Sequence, residues 1–270
     1  MSRPSTSVRL GAPAWIVGLA AVAVAVVVLP LVGLVARVDW STLWVDIAAP
    51  ATLEALWLSI WTGAVATLAC AVLGVPLAVV IASAGPKLAA VLRAIVAIPL
   101  ILPPMVGGVA LLYLLGRNGW LGQLLDAIGV RLPFTPAAVV LAQVFVAMPF
   151  LVLAAEGSLR MVDRDLIEAG ATLGAGRGQL LRLVALPLAA PGLVAGLTLA
   201  FARAVGEFGA TAIFAGNAPG VTRTMPLAIY TAFNGGGVTQ GSALALALLL
   251  LFTAIGVLLL ARAWRPGRPG

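Results

Sequence analysis

The chain has 270 residues, of which 62% are hydrophobic and only 9% are charged. Soluble domains carry about 25% charged residues, so this sequence cannot cover a water-facing surface. Its apolar residues run continuously instead of alternating along strands, which excludes a membrane β-barrel. We therefore expect an all-α, polytopic membrane protein.

The same composition excludes several kinds of chemistry. The chain has no histidine, which removes histidine acid–base catalysis and histidine metal sites. Its one cysteine, Cys70, lies in an apolar run and is expected to pack in the interior. The net charge of +7 is spread over short segments without an aromatic platform, so no nucleic-acid partner is expected. No catalytic residue, metal site or bound cofactor is predicted for this chain.

Six segments have roughly the 20 apolar residues that cross a hydrocarbon core. They lie at about 12–36, 55–84, 94–115, 137–155, 188–214 and 242–261. The first is too long for the apolar core of a signal peptide, so we expect it to be retained as a span. Together they form one membrane domain over residues 12–262, between an N-terminal tail at 1–11 and a C-terminal tail at 263–270.

The basic residues predict the orientation of the spans. Eleven of the sixteen fall on the side that carries both termini, four fall on the other side, and Arg203 lies within a span. Positive charge accumulates on the cytoplasmic side of membrane proteins. Both tails and the loop at about 156–187 are therefore expected in the cytoplasm, with the domain in the cytoplasmic membrane and in contact with lipid.

Prolines recur inside the spans. The third span contains Pro99, Pro103 and Pro104 within six residues. A single proline is most simply a kink in a structural helix, but freed carbonyls are tolerated in hydrocarbon only beside protein or a wet cavity. The cluster therefore predicts that Pro103 and Pro104 line a transport pathway. Four other prolines are expected to interrupt their helices: Pro30, Pro76, Pro149 and Pro191.

The longest cytoplasmic loop, residues 156–187, has an ordered pattern. Asp165 and Glu168 have capping-box spacing, which predicts the start of a short helix that ends at Gly174. A second apolar stripe then leads to Pro187, where the next span is expected to begin. The pattern fits either a helix on the lipid headgroups or a docking element for a cytoplasmic partner. One face of the first helix is expected to be apolar: Leu166, Ile167, Gly170 and Leu173.

This loop resembles the EAA signature of the permease subunits of ABC importers, E-A-A-x-x-x-G, nine residues, a β-branched aliphatic residue, x, L-P. The spacing matches throughout, with Gly170 at the usual third-position alanine and Val184 at the usual isoleucine. In that family the loop is a coupling helix that docks in a groove on the ATP-hydrolysing subunit. The resemblance thus implies ATPase docking for these residues: Asp165, Glu168, Ala169, Gly170, Gly174, Leu186 and Pro187.

A second stretch narrows the resemblance. Residues 201–211, FARAVGEFGAT, and 215–230, AGNAPGVTRTMPLAIY, are similar to the molybdate/tungstate permease family. Sulfate permeases share the general pattern but are less similar across 222–230, so sulfate or thiosulfate is the alternative cargo. The resemblance covers about residues 52–261. It implies a type I ABC-importer permease fold, two copies around a pathway, an ATPase subunit that binds ATP, and an extracytoplasmic oxyanion-binding protein.

Arg203 and Glu207 lie four residues apart and therefore share one face of the fifth span. A lone charge at the bilayer centre costs about 3 kcal/mol or more, so such residues usually pair inside the bundle. Two interpretations stay open. The pair either fixes helix packing, or it lines and gates the passage of an oxyanion, for which a guanidinium is a suitable donor.

The loop at 215–241 is expected on the external side. The resemblance implies that this loop contacts the binding protein, with Asn217, Thr222 and Thr224 as candidates. Hydroxyls and backbone amides would also serve to bind an oxyanion directly, which is the alternative for this loop. Pro226 suits a first helical turn, so a short helix is predicted to begin near Thr224.

Uptake of a dianion needs an energy source outside this chain. Moving it inward against about 100 mV costs roughly twice 2.3 kcal/mol. The sequence has no G-x-x-x-x-G-K-[ST] phosphate loop. Its one lysine, Lys87, follows Gly85-Pro86 and precedes Leu88, so it does not fit this motif. A secondary anion transporter would show repeated spans and more intramembrane protonatable residues, and a membrane enzyme would show clustered reactive side chains. Neither pattern is found.

Overall fold

The computed structural model describes residues 13–236 and 239–263, which are mostly helical and contain no strand. This confirms the all-α expectation for the described part of the chain. The tail predicted at 1–11 and residues 264–270 lie outside it. The helices in chain order are α1 (Ala14–Ala36), α2 (Leu43–Ala48), α3 (Pro50–Ser83), α4 (Pro86–Ile101), α5 (Pro104–Leu115), α6 (Trp120–Ala127), α7 (Pro136–Arg160), α8 (Arg164–Thr172), α9 (Arg177–Leu180), α10 (Leu186–Val205), α11 (Gly209–Phe214), α12 (Met225–Phe233) and α13 (Gln240–Ala263).

The spans match the expected number. Five described helical stretches are long and apolar enough to cross a membrane, and a sixth crossing results if the bent pair α4–α5 is one span. The third and fifth spans differ in their bounds from the segments that we expected at 94–115 and 188–214. The third begins earlier, at Pro86, and its halves α4 and α5 lie at 109° to each other. The fifth stops at Val205 and resumes at Gly209 as α11.

Small side chains hold the centre of the bundle together, where α3, α7 and α10 meet. Ala66 and Cys70 of α3 pack with Ala147 of α7 and with Ala200 and Ala204 of α10, and all five are fully buried. Lipid chains are as apolar as leucine, so close backbone approach through small residues is what favours helix association in a membrane. The expected interior position of Cys70 is confirmed.

The expectation that four prolines interrupt their helices was wrong. Each lies inside a continuous helix, in α1, α3, α7 and α10 respectively. Hydrocarbon offers no water to an opened backbone, so neighbouring helices and local adjustments preserve the helix around a lone proline. The adjacent pair Pro103–Pro104 differs, because two consecutive residues lack an N–H and the residue before each is pushed out of the helical region.

Helix α1 stands apart from this core. None of its described residues is buried, and its contacts with the rest of the chain lie mainly at α13. At the end of the bundle near α2, Asp46 accepts hydrogen bonds from the hydroxyls of Thr239 and Ser242, each at 3.4 Å. A carboxylate at the first turn of α13 is favourable for the helix dipole. This contact ties α2 to the last span.

Candidate functional site

The predicted coupling loop folds as α8, a glycine turn and α9. Helix α8 is capped by Asp163, whose Oδ1 accepts the backbone N–H of Asp165 at 3.0 Å. The capping box predicted from Asp165 and Glu168 was therefore wrong, because the cap lies two residues earlier. Asp165 instead occupies the first turn, where a negative charge stabilises the helix dipole.

Gly174 ends α8 in the left-handed region, with φ at +88°. Its N–H donates to the carbonyl of Ala171 at 3.0 Å, and the N–H of Ala175 donates to the carbonyl of Gly170 at 3.1 Å. This pair of bonds is a Schellman motif, which satisfies the last carbonyls of a helix. Glycine adopts the required φ without a Cβ penalty. The local geometry thus explains why a glycine stands at this position of the motif.

Gly170 brings α8 against α9. A Cβ at this residue would lie 2.6 Å from Cδ2 of Leu180, so the usual alanine does not fit without a shift of that leucine. Leu166 and Leu173 point away from the chain and are 49% and 88% exposed. The four residues expected on one apolar face share an arc of α8, and the single chain covers this face at Gly170 but leaves Leu166 and Leu173 exposed. Glu168 and Ala169 lie on the exposed part of the helix.

The helix after the glycine turn does not restart at Pro187. It is continuous from Arg177 to Val205 and contains a π-helical turn at Leu181–Ala185. The N–H of Leu186 donates to the carbonyl of Leu181, which widens the helix just before the proline. Such widening relieves the contact between a proline ring and the carbonyl of the preceding turn. The span was expected to begin at Leu186–Pro187, and this was wrong.

A buried carboxylate lies just before the coupling loop and was missed by the sequence analysis. Glu156 of α7 has a side chain only 5% exposed, and its Oε1 accepts from Nε of Arg93 at 2.7 Å and from Nε of Arg160 at 2.6 Å. Arg160 also donates to the carbonyl of Ile81 at 3.3 Å. We call these three charged residues the Glu156 clamp. It joins α3, α4 and α7 four residues before α7 ends.

Only part of this clamp has a local signal. Glu156 and Arg160 are spaced i, i+4 on one helix, and that pairing is readable from sequence. Arg93 is 63 residues away from Glu156, so its approach depends on how α4 folds back onto α7.

The two broken spans meet inside the protein. Helix α5 packs on α11 so closely that a Cβ on Gly209 would lie 3.0 Å from Cβ of Pro104. A Cβ on Gly108 would lie 2.7 Å from the carbonyl oxygen of Ala210. The structure therefore brings Pro104 next to the break that follows Glu207. Pro103 is the N-cap residue of α5 and lies in the bend. Both Pro103 and Pro104 are exposed in the single chain.

The break between α10 and α11 is bridged by the predicted charged pair. Nη1 of Arg203 lies 2.6 Å from Oε2 of Glu207, a close ion pair whose angle falls outside hydrogen-bond geometry. The other carboxylate oxygen of Glu207 accepts the N–H of Ala210 at 2.8 Å. A cation thus lies in the last turn of α10 and an anion at the first turn of α11, and both arrangements suit the helix dipoles. Glu207 is 1% exposed and Arg203 is 27% exposed.

The loop before α12 is held by its own side chains. Nδ2 of Asn217 donates to Oγ1 of Thr231 at 2.8 Å, and Nε of Arg223 donates to Oδ1 of Asn217 at 3.0 Å. Thr222 accepts the N–H of Ala218 at 2.9 Å. Thr222 and Thr224 are fully buried, and the exposed residues of this loop are 218–221. The short helix predicted near Thr224 is confirmed as α12.

Broken spans that meet inside a helical bundle are features of membrane transport proteins. Residues 74–267 match the family described as "Binding-protein-dependent transport system inner membrane component". The match covers most of the chain, and the chain belongs to this family. The ABC-importer resemblance found in the sequence is thereby confirmed.

Several relatives are similar over much of their length. The "Molybdenum transport system permease protein ModB" of Mycobacterium tuberculosis is 47% identical over 248 residues, 92% of each chain. The protein of the same name from Escherichia coli K12 is 43% identical over 155 residues, 57% of this chain and 68% of that one. A probable molybdenum ABC transporter permease protein of Haloferax volcanii is 40% identical over 87% of this chain and 84% of its own.

Solved structures show the same fold. A bacterial ABC transporter involved in the import of the polysaccharide alginate has a TM-score of 0.69 at 15% identity, over 93% of this chain and 96% of that one. The MetNI methionine ABC transporter in an inward-facing conformation has a TM-score of 0.62 at 22% identity, over 78% of this chain and 93% of that one. The expected type I importer permease fold is therefore confirmed.

Proposed function

We propose that this chain is the transmembrane subunit of an ATP-driven importer that takes up molybdate across the cytoplasmic membrane. The observation that carries the proposal is the 47% identity, over 92% of both chains, to a permease named for molybdenum transport. The same sequence similarity favours molybdate over sulfate or thiosulfate as the transported ion. Tungstate is an equivalent cargo in this proposal, because the pathway would meet either ion as an oxyanion.

In this proposal the exposed side of α8 docks on the ATPase subunit. Leu166 and Leu173 present apolar surface there, and Glu168, which is also exposed, has no ion-pair partner among the described residues. An apolar helix face that inserts into a groove is a common recognition mode. ATP-driven approach of two ATPases would then displace α8.

The Glu156 clamp offers a physical route from α8 to the pathway. Helix α7 runs directly into α8, and Arg93 connects α7 to α4. Helix α4 in turn leads into the 109° bend, where Pro104 lies against Gly209 at the start of α11. Displacement of α8 would thus reach Pro103 and Pro104, and the charged pair would gate the oxyanion. Both termini are cytoplasmic in this arrangement.

A second copy of the chain completes the pathway in this proposal. Helix α1 has no buried residue, and the bend exposes Ile101 at 82%, Met105 at 51% and Val106 at 47%. Pairing of two copies would cover this apolar surface. The binding protein would approach the opposite end and contact the exposed residues 218–221, while Asn217, Thr222 and Thr224 hold the loop in shape.

The test is ATP hydrolysis by the reconstituted complex of this chain, an ATPase subunit and the oxyanion-binding protein. Molybdate or tungstate on the binding protein should stimulate hydrolysis, and sulfate should not. Stimulation by sulfate alone would overturn the cargo. If the chain binds no ATPase, the importer assignment fails.

A matched pair of variants tests the docking surface separately. Leu173→Asp should abolish co-purification with the ATPase, because it places a charge in the proposed groove. Leu124→Asp is the control, since Leu124 is 61% exposed on α6 at the other end of the bundle. Equal loss in both variants would place the effect in general stability and would contradict docking through α8.

A further inference from the structure

A cleft of about 520 Å³ lies between the coupling loop and the end of the helical bundle. Its walls come from the last turns of α3 and α7, from α8, and from the α9–π segment. Ser83 ends α3 and Arg160 ends α7 after long apolar stretches. The cleft therefore lies at the depth where the hydrocarbon of a membrane gives way to headgroups.

The polar part of the cleft is cationic. Arg160, Arg164 and Arg177 line it together with Ser83, and no acidic residue lines it. Arg160 is already bound in the Glu156 clamp. Among the described residues, Arg164 and Arg177 have no carboxylate oxygen within 4.0 Å. Two arginines thus line one cleft from the two sides of the glycine turn, and neither has an ion-pair partner among the described residues.

The acids nearest to Arg164 in sequence form no ion pair with it. Asp163 is engaged in capping α8, while Asp165 and Glu168 do not line the cleft. The remaining lining is apolar and includes Val79, Leu180 and Leu181. A cationic rim over an apolar floor at headgroup depth matches a molecule with an anionic head and a hydrocarbon tail.

We propose that this cleft binds an anionic phospholipid. The guanidinium groups of Arg164 and Arg177 hold the phosphate, for which arginine has matching donor geometry. An acyl chain lies along the apolar floor. Basic pockets between spans are known to hold acidic headgroups in membrane proteins. Since Arg164 belongs to α8 and Arg177 to α9, one bound phosphate braces both halves of the coupling loop against the bundle.

Native mass spectrometry of the full chain in detergent tests this binding without the ATPase. The chain is titrated separately with phosphatidylglycerol, with phosphatidylcholine of the same acyl length, and with inorganic phosphate. Phosphatidylglycerol should bind at least about tenfold more tightly than phosphatidylcholine, a difference of about 1.4 kcal/mol. Equal binding of the two lipids would overturn the proposal. If inorganic phosphate displaces the lipid at equal concentration, the site takes a free oxyanion and the lipid proposal is wrong.

A charge-matched pair of variants separates the cleft from general attraction. Arg164→Gln with Arg177→Gln should weaken phosphatidylglycerol binding about tenfold. Both arginines are exposed, so the double variant is expected to fold. Lys87→Gln with Arg182→Gln removes the same charge at exposed positions that do not line the cleft, and should leave binding within about twofold. Equal weakening in both double variants would show diffuse attraction and overturn the site.

Discussion

Removal of the two cations of the Glu156 clamp should destabilise the protein far more than the sum of the single changes. The variants are Arg93→Met, Arg160→Met and the double substitution. Methionine keeps much of the side-chain packing while removing the charge and its hydrogen bonds. Glu156 is 5% exposed and receives both guanidinium groups on one oxygen, so each single variant still leaves it one partner.

The expected losses in the free energy of unfolding follow from the burial of the three side chains. Arg93 is 38% exposed and Arg160 is 44% exposed, so solvent screening limits each single loss to about 1 kcal/mol. The double variant leaves a buried carboxylate without a cation, which costs about 3–5 kcal/mol. The coupling energy between the two sites is thus at least about 1 kcal/mol. Adding Glu156→Met to the double variant should restore stability, since replacing a whole buried charge cluster by apolar residues is often neutral.

Thermal unfolding in detergent, followed by fluorescence-detected size exclusion, measures these differences. At about 2–4 °C per kcal/mol, each single variant should lower the apparent Tm by about 2–4 °C and the double by on the order of 10 °C. The triple variant should recover most of that loss. Additive single effects, or a triple variant as unstable as the double, would refute the reasoning that the buried carboxylate is the source of the cost.

Substitutions at three other residues test the coupling loop and the helix break. Gly174→Ala places a Cβ on a left-handed residue at about 1–2 kcal/mol and should weaken ATPase co-purification, while Gly174→Asn should lose less. Gly170→Ala displaces only the end of the Leu180 side chain, so it should weaken co-purification less than Gly174→Ala, and an equal loss would contradict the expectation that Leu180 moves aside. Arg203→Ala should reduce uptake about tenfold at normal expression, and unchanged uptake in reconstituted vesicles would leave the Arg203–Glu207 pair with a packing role.

Much of the architecture was predictable from features that act between neighbours in sequence. Apolar length determined the number of spans, because each must satisfy its backbone within the hydrocarbon. Glycine at position 174 predicted the end of α8, and Pro226 predicted α12, because both depend on local backbone geometry. The spacing of the EAA-like loop was sufficient to indicate the family. The pairing of Arg203 with Glu207 followed from one turn of helix.

The tertiary structure alone decided which local signals were realised. Proline did not break α1, α3, α7 or α10, because neighbouring helices decide whether a freed backbone group finds a partner, and only the adjacent pair Pro103–Pro104 stands at a 109° bend. The bend and the α10–α11 break meet only through the packing of α5 on α11. Arg93 reaches Glu156 only through the fold. Contacts between distant segments depend on how the helices pack, and this packing cannot be derived from the spacing of residues along the sequence.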